Sequence, residues 1–171
     1  MKATALDIDL ARTAIFAGLP EEKIAKIASV TKLQNFGADH QVMREGQSGG
    51  TLYILLDGEV EVTKTLVFKS AGASPDPLDK SLLRLTAKNS PFFGEMSLFD
   101  KEGTRNATVR TITPCKFAIL DLADLVKLSE IDNEIGYKTF LNISWVLSDR
   151  LNKTNSDLMK VTTALGIALE R

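Results

Sequence analysis

Leu52-Tyr53-Ile54-Leu55-Leu56-Asp57-Gly58-Glu59-Val60-Glu61-Val62-Thr63 decides the fold. A short apolar, β-like run stops at Asp57-Gly58, a dipeptide suited to the positive φ angles of a tight turn. Beyond it, Val60 and Val62 alternate with Glu59 and Glu61, as a half-buried strand requires. The pair of runs, Leu52–Leu56 and Glu59–Phe68, is read as a β-hairpin. Further runs of the same texture occupy Gln41–Arg44, Leu82–Thr86, Ala107–Thr113 and Lys116–Leu120, with Val109 and Thr111 alternating against Thr108 and Arg110. Many short strands at turn-bounded spacing predict a sandwich or barrel. The small, polar, proline-bearing segment from Ser70 to Pro77 is expected to be an extended loop between strands.

Outside this β region the spacing turns helical. Residues 5–36 carry Ile15, Phe16 and Leu19, then Pro20 at a first helical position, then Ile24, Ile27 and Ala28 at i, i+3, i+4. Asp121 is placed to cap a helix bearing Leu122, Leu125, Val126 and Leu128, and Asp132 to cap a longer helix towards the C-terminus. The expected division is a barrel domain with N-terminal helices over residues 1–130 and a helical appendage over 131–171.

Composition narrows the function. The 171 residues hold 21 Lys+Arg against 22 Asp+Glu, a formal net charge of −1, and 44% are hydrophobic. The length is that of about one domain plus an appendage. One cysteine, Cys115, and one histidine, His40, exclude an internal disulfide and clustered Cys/His metal sites, so no metal and no cofactor are expected. Cys115 reads as a buried strand residue and His40 as a loop residue beside Asp39. No nucleophile with a supporting base is visible, so no catalytic residue and no enzymatic activity are expected. Balanced charge leaves no electrostatic footprint for nucleic acid. Acids at Asp7 and Asp9 argue against a secretory signal, and the uncharged stretch Thr139–Ser148 is half of the roughly 20 residues a membrane helix needs. A cytoplasmic protein without membrane contact is expected.

One segment carries chemistry: Phe92-Phe93-Gly94-Glu95-Met96-Ser97-Leu98-Phe99, continuing to Arg105-Asn106-Ala107-Thr108-Val109. Gly94 permits close backbone approach, and a helical turn over Glu95–Phe99 would aim free N–H groups at an anion. The Arg105 guanidinium suits two phosphate oxygens, and the Glu95 carboxylate suits a sugar hydroxyl. Together they fit a small phosphorylated ribose ligand. In isolation, Glu95 and Arg105 would be an ordinary surface pair.

At these residues the sequence resembles the cyclic-nucleotide-binding domain family. Phe93-Gly94-Glu95-Met96-Ser97-Leu98 and Arg105-Asn106-Ala107-Thr108-Val109 match its phosphate-binding cassette, with the ten-residue Glu-to-Arg spacing of the catabolite activator group. Arg44-Glu45-Gly46-Gln47, the Leu52–Val60 stretch and Ile15-Phe16-Ala17-Gly18-Leu19-Pro20 resemble the family's upstream landmarks, so the likeness covers about residues 15–155. The resemblance implies a mainly β fold, an eight-stranded jelly-roll barrel flanked by N-terminal helices and a long C-terminal helix. It implies a cyclic nucleotide ligand, cAMP with cGMP as the alternative. Glu95 would take the ribose 2′-hydroxyl and Arg105 the cyclic phosphate, with Gly94, Met96, Ser97 and Ala107 in the cassette. Two departures stand out: Asn106, where a small or hydroxyl residue is usual, could donate to phosphate or base, and Lys88-Asn89-Ser90-Pro91 replaces a glycine before the cassette.

The long helix carries a heptad-like seam, Tyr137, Leu141, Ser144, Leu147, Leu151, Thr154, Leu158, Val161 and Leu165. It serves a homodimer and packing against the helix's own barrel about equally well. Trp145 on this helix reads as core or dimer packing. By the resemblance, Thr154 and Asn155 would contact the purine and Arg150 would pair with Glu95; Thr154 and Asn155 read equally as a solvated kink. The function that follows is a stand-alone regulatory module that binds cyclic nucleotide and signals to an effector protein through its C-terminal helix. The alternatives are a sensor domain of the transcription-regulator type, or a degenerate barrel acting as an interaction module. Five acids and five bases between Asp132 and Arg171 leave no basic recognition helix, so DNA binding is not expected.

Overall fold

The computed structural model describes residues 4–67 and 77–169. Two N-terminal helices, α1 (Ala5–Ala11) and α2 (Glu21–Ser29), are joined through a 3-10 turn at Ala14–Phe16. Eight strands follow: β1 (Thr31–Phe36), β2 (Gln41–Met43), β3 (Thr51–Asp57), β4 (Glu59–Val67), β5 (Pro77–Thr86), β6 (Phe92–Phe93), β7 (Thr108–Thr111) and β8 (Cys115–Asp121). The chain then runs into α3 (Leu122–Ile131) and α4 (Asn133–Leu169). The expected loop at Ser70–Pro77 lies outside the described residues except for Pro77, which opens β5.

The strands form two four-stranded antiparallel sheets, ordered β1-β8-β3-β6 and β2-β7-β4-β5. This corrects the expected hairpin at Asp57-Gly58, because β3 pairs with β6 and β8 while β4 pairs with β5 and β7. The dipeptide does turn the chain, with Gly58 at φ 91°, but the turn passes from one sheet to the other. A β-carbon at Gly58 would lie 2.5 Å from the Pro114 carbonyl oxygen, so the corner also needs glycine for space.

The number of strands agrees with expectation, whereas the closed barrel and the mainly β composition do not. Among the described residues no ladder joins the two sheets, and the four α-helices cover more residues than the eight strands. The cause lies in β3 and β8, which are apolar on both faces. Leu55, Phe117 and Cys115 point into the sandwich with Val60, Phe93 and Val109. Leu52, Ile54, Ala118 and Leu120 point the other way, into a second core closed by Leu10, Phe16, Ile24, Ile27, Leu125, Ile135 and Ile143 from the helices. A sheet with an apolar outer face must be covered, and helices cover it.

β1 corrects the reading of residues 5–36 as continuously helical. Residues 31–36 run antiparallel to β8, Thr31 opposite Leu120 and Phe36 opposite Cys115. This edge strand is exposed at Lys32, Leu33, Gln34 and Asn35, so it carries no alternating apolar pattern. Before the cassette, Ser90 adopts a left-handed conformation (φ 42°) without glycine, and the buried Thr13 hydroxyl donates to the Ser90 carbonyl at 3.0 Å.

Asp121 caps α3 as expected, accepting from the Ala123 N–H at 2.8 Å. Asp132 sits at the α3–α4 junction, but its carboxylate accepts from Lys23 Nζ at 2.6 Å and Lys26 Nζ at 2.9 Å on α2. Those bonds, Lys23 first, hold its carboxyl well below the usual range near 3.8. A depressed pKa contributes stability above the ordinary carboxylate value and loses it in acid. Asp132→Asn is therefore expected to melt below the parent at pH 7, with the difference shrinking towards pH 2 in paired thermal melts.

In its first half α4 buries Ile135, Thr139, Asn142 and Ile143, and Asn142 Nδ2 donates to the carbonyls of Ile15 (3.1 Å) and Ala17 (2.9 Å). The seam followed in the sequence is mostly a different stripe: Leu147 packs against the helical core and Leu141 is half-buried, but the rest faces outward. Tyr137, Ser144, Leu151, Thr154, Leu158, Val161 and Leu165 are exposed, Trp145 is 63% exposed, and every described residue of α4 after Arg150 is exposed.

Candidate functional site

Gly94 (φ 88°) ends β6 and starts a 3-10 turn over Glu95–Leu98, close to the turn expected there. The return segment is fastened by its backbone. Arg105 N–H donates to Gln47 O at 2.8 Å, Gly46 N–H to Arg105 O at 2.9 Å, and Gly49 N–H to Gly103 O at 2.9 Å. Asp100 closes the intervening loop by accepting from the Thr104 N–H and hydroxyl, and those bonds lower its pKa.

Arg105 is 6% exposed, an expensive place for a cation. Its Nη1 donates to Thr51 O (2.8 Å), Gly94 O (2.9 Å) and, at longer range, Ser97 Oγ (3.4 Å), and its guanidinium lies 5.7 Å from the Tyr53 ring centre. Burial lowers its pKa, opposed by Tyr53 and Glu95. Nε and Nη2 donate to no acceptor among the described residues. Thr139 Oγ1 is the one buried, unpartnered side-chain N or O atom found among them, so this edge of the guanidinium opens to solvent. One nitrogen is thus committed to the scaffold, and the parallel Nε–Nη2 pair that matches an oxyanion is left over.

Glu95 is 1% exposed. Its Oε1 accepts from Arg150 Nη1 of α4 at 2.6 Å, the pairing that the family resemblance implies. Burial pushes its carboxyl above the ordinary 4.5, and Arg150 is the largest influence restraining it. Arg150 also donates through Nη2 to the Phe92 carbonyl at 2.8 Å and stacks over the Phe92 ring at 5.2 Å. Arg150 thus ties the cassette to the long helix, beside an edge-on contact of the Phe99 and Phe140 rings at 6.3 Å.

The structure brings Gly94, Glu95, Ser97, Arg105 and Arg150 together. Met96 and Asn106 sit at the exposed edge, Asn106 Nδ2 lying 3.5 Å from Met96 Sδ, and Ala107 is half-buried. Thr154 and Asn155 are exposed and no bond joins them to the cassette; the Thr154 hydroxyl donates to the Arg150 carbonyl of its own helix. Sequence reasoning missed the Thr51 carbonyl and Gly49. A β-carbon at Gly49 would stand 1.9 Å from Arg105 Nε, so this glycine makes room for the guanidinium. The Gly49-Gly50 pair was the available signal. Gly49→Ala is expected to displace Arg105 and weaken anion binding at least about tenfold, because the rigid methyl occupies the guanidinium's place; ligand titration against the parent checks this.

The family profile of the cyclic nucleotide-binding domain matches residues 33–132. The chain belongs to the cyclic nucleotide-binding domain family. Over 160 residues, 90% of this chain, it is 30% identical to the CRP-like cAMP-activated global transcriptional regulator of Mycobacterium tuberculosis, and it spans 62% of that protein's length. Over 100 residues, 58% of this chain and 12% of the relative, it is 30% identical to cGMP-dependent protein kinase, isozyme 1, of Drosophila melanogaster. A cyclic nucleotide-binding domain from Methylobacillus flagellatus superposes with a TM-score of 0.73 over 90% of this chain and 80% of that one; at 21% identity it shows the shared fold. No described helix is long and apolar enough to cross a membrane.

Proposed function

We propose that this member of the family is a regulatory module that binds cAMP, with cGMP as the weaker ligand, and signals through α4 to an effector protein. The observation that carries the reading is the unspent Nε–Nη2 edge of a buried, scaffold-held Arg105. A buried cation with two free donors is matched by a monoanionic cyclic phosphate, and Glu95 beside it accepts from a ribose hydroxyl. The preference for cAMP rests on the Mycobacterium tuberculosis relative, the more extensive of the two reported alignments.

Signalling follows from the Arg150 tie. Ligand at Glu95 and Arg105 changes the charge that Arg150 faces, and shifts α4 towards the position in which its contacts with the liganded cassette are best. The exposed distal seam of α4 supports a homodimer through this helix. Sedimentation that becomes concentration-dependent at micromolar chain, and ceases to in Leu158→Lys, checks that part.

A sensor part of a transcription regulator is the second reading, favoured by the Mycobacterium tuberculosis relative. A thermal-shift screen tests the first. A ligand that binds only the folded chain raises its melting point, by about 2.7 kcal/mol of stability at 100 times its Kd. We expect a rise with cAMP, a smaller one with cGMP and none with 5′-AMP. No rise with either cyclic nucleotide overturns the proposal.

A further inference from the structure

A groove of about 640 Å³ lies between α1 and α2, on the helical side of the molecule. Its floor is apolar, formed by Ile8, Ala11, Leu19, Ile24 and Ala25, and Ile8 is 47% exposed within it. Its edges are charged: Asp7, Glu21, Glu22 and Lys26.

The cations of α2 do not neutralise that rim. Lys23 and Lys26 are drawn to Asp132 at the α3–α4 junction, at 2.6 and 2.9 Å. Glu22 reaches Lys23 only at 4.0 Å, and Glu21 pairs with no cation among the described residues. The ion cluster that fastens α2 to the elbow therefore leaves its outer edge acidic over an apolar floor.

We propose that this groove docks a basic amphipathic helix of a partner protein, one that presents apolar residues at i, i+4 and i+7 flanked by Lys or Arg. Apolar floors between charged rims receive helices in this way. The nine residues of α2 span about 13 Å at 1.5 Å per residue, room for a little over two turns of the incoming helix. A second copy of this chain is a poor match. Its exposed helical segment, Leu151–Leu169, carries only Lys153 and Lys160 against Asp157, and is uncharged from Val161 onward. The site is separate from the nucleotide cassette and does not rest on nucleotide binding.

The test is a titration of the isotope-labelled full chain with a synthetic helical peptide bearing Leu at i, i+4 and i+7 and Lys at the flanks. A second peptide with Glu for Lys is the control. Amide shifts at Ile8, Leu19 and Ala25 with the Lys peptide are expected, and no binding of the Glu peptide. Affinity should fall about tenfold in the exposed double variant Glu21→Gln with Glu22→Gln, and fall with salt, as rim charges dictate. Equal binding of both peptides, shifts confined to distal α4, no binding, or the same shifts arising from self-association without peptide each overturn the proposal.

Discussion

Arg105→Ala is expected to lower cyclic-nucleotide affinity by about 10²–10³-fold, the equivalent of roughly 3–4 kcal/mol for losing a paired, charge-assisted contact to phosphate. The same change should loosen the fold. Thr51 O, Gly94 O and Ser97 Oγ all accept from Arg105 Nη1; Gly94 O keeps the Ser97 hydroxyl as a donor, and a buried acceptor that does lose its donor costs about 1–3 kcal/mol. With water entering to replace part of that bonding, the melting point should fall by roughly 5–10 °C. Arg105→Lys separates the two effects. It keeps the charge and loses the parallel pair of donors, so it should retain more stability than affinity. Calorimetry and thermal melts on the parent and both variants check this, and unchanged affinity in Arg105→Ala would contradict it.

Arg150→Ala has the second largest expected effect, and its size depends on pH. Glu95 is buried with Arg150 as its closest counter-charge, and removing that partner strands a carboxylate in the core. Because Arg150 itself is 41% exposed, the cost is set lower than for a fully buried pair, at about 1–3 kcal/mol. Burial already raises the Glu95 carboxyl above 4.5, and loss of Arg150 raises it further. A raised folded pKa means that the contribution is fully present below the unfolded value and is lost as pH rises through the folded one. The variant should thus be most destabilised near pH 8 and recover towards the parent as pH falls to about 4.5. Adding Glu95→Gln should flatten this dependence. Parallel stability curves for parent and Arg150→Ala would show that Glu95 is not the group left exposed to the loss.

Strand legibility followed burial. β4 and β7 bury one face and alternate visibly; β3 and β8 bury both and read as apolar runs. β1 escaped because its middle residues are all exposed, and β6 because two residues inside the cassette make no pattern. The Asp57-Gly58 turn shows a different limit. Local chemistry specifies that the chain reverses, but the partner of the next strand is set by long-range packing, here a switch of sheets.

At the site, side chains were legible and backbone was not. Glu95 and Arg105 could be read because their charge and spacing are written in the sequence, and the Glu95–Arg150 pair followed from the family resemblance, since the two lie 55 residues apart. The carbonyls of Thr51 and Phe92, which orient the two arginines, are chemically present at every residue and stand out only once folded. The same holds for α4. Its heptad seam was visible, but only the fold shows that Ile135, Thr139, Asn142 and Ile143 pack on the body together with Leu147 of the seam, leaving the seam from Leu151 onward exposed.

The central claim is that Glu95 and Arg105 together hold a cyclic nucleotide, and calorimetric titration of the unmodified chain tests it most directly. The account predicts saturable heat with cAMP at one ligand per chain, weaker binding of cGMP, and no binding of 5′-AMP. No heat with either cyclic nucleotide, or equal affinity for cAMP and 5′-AMP, would contradict it.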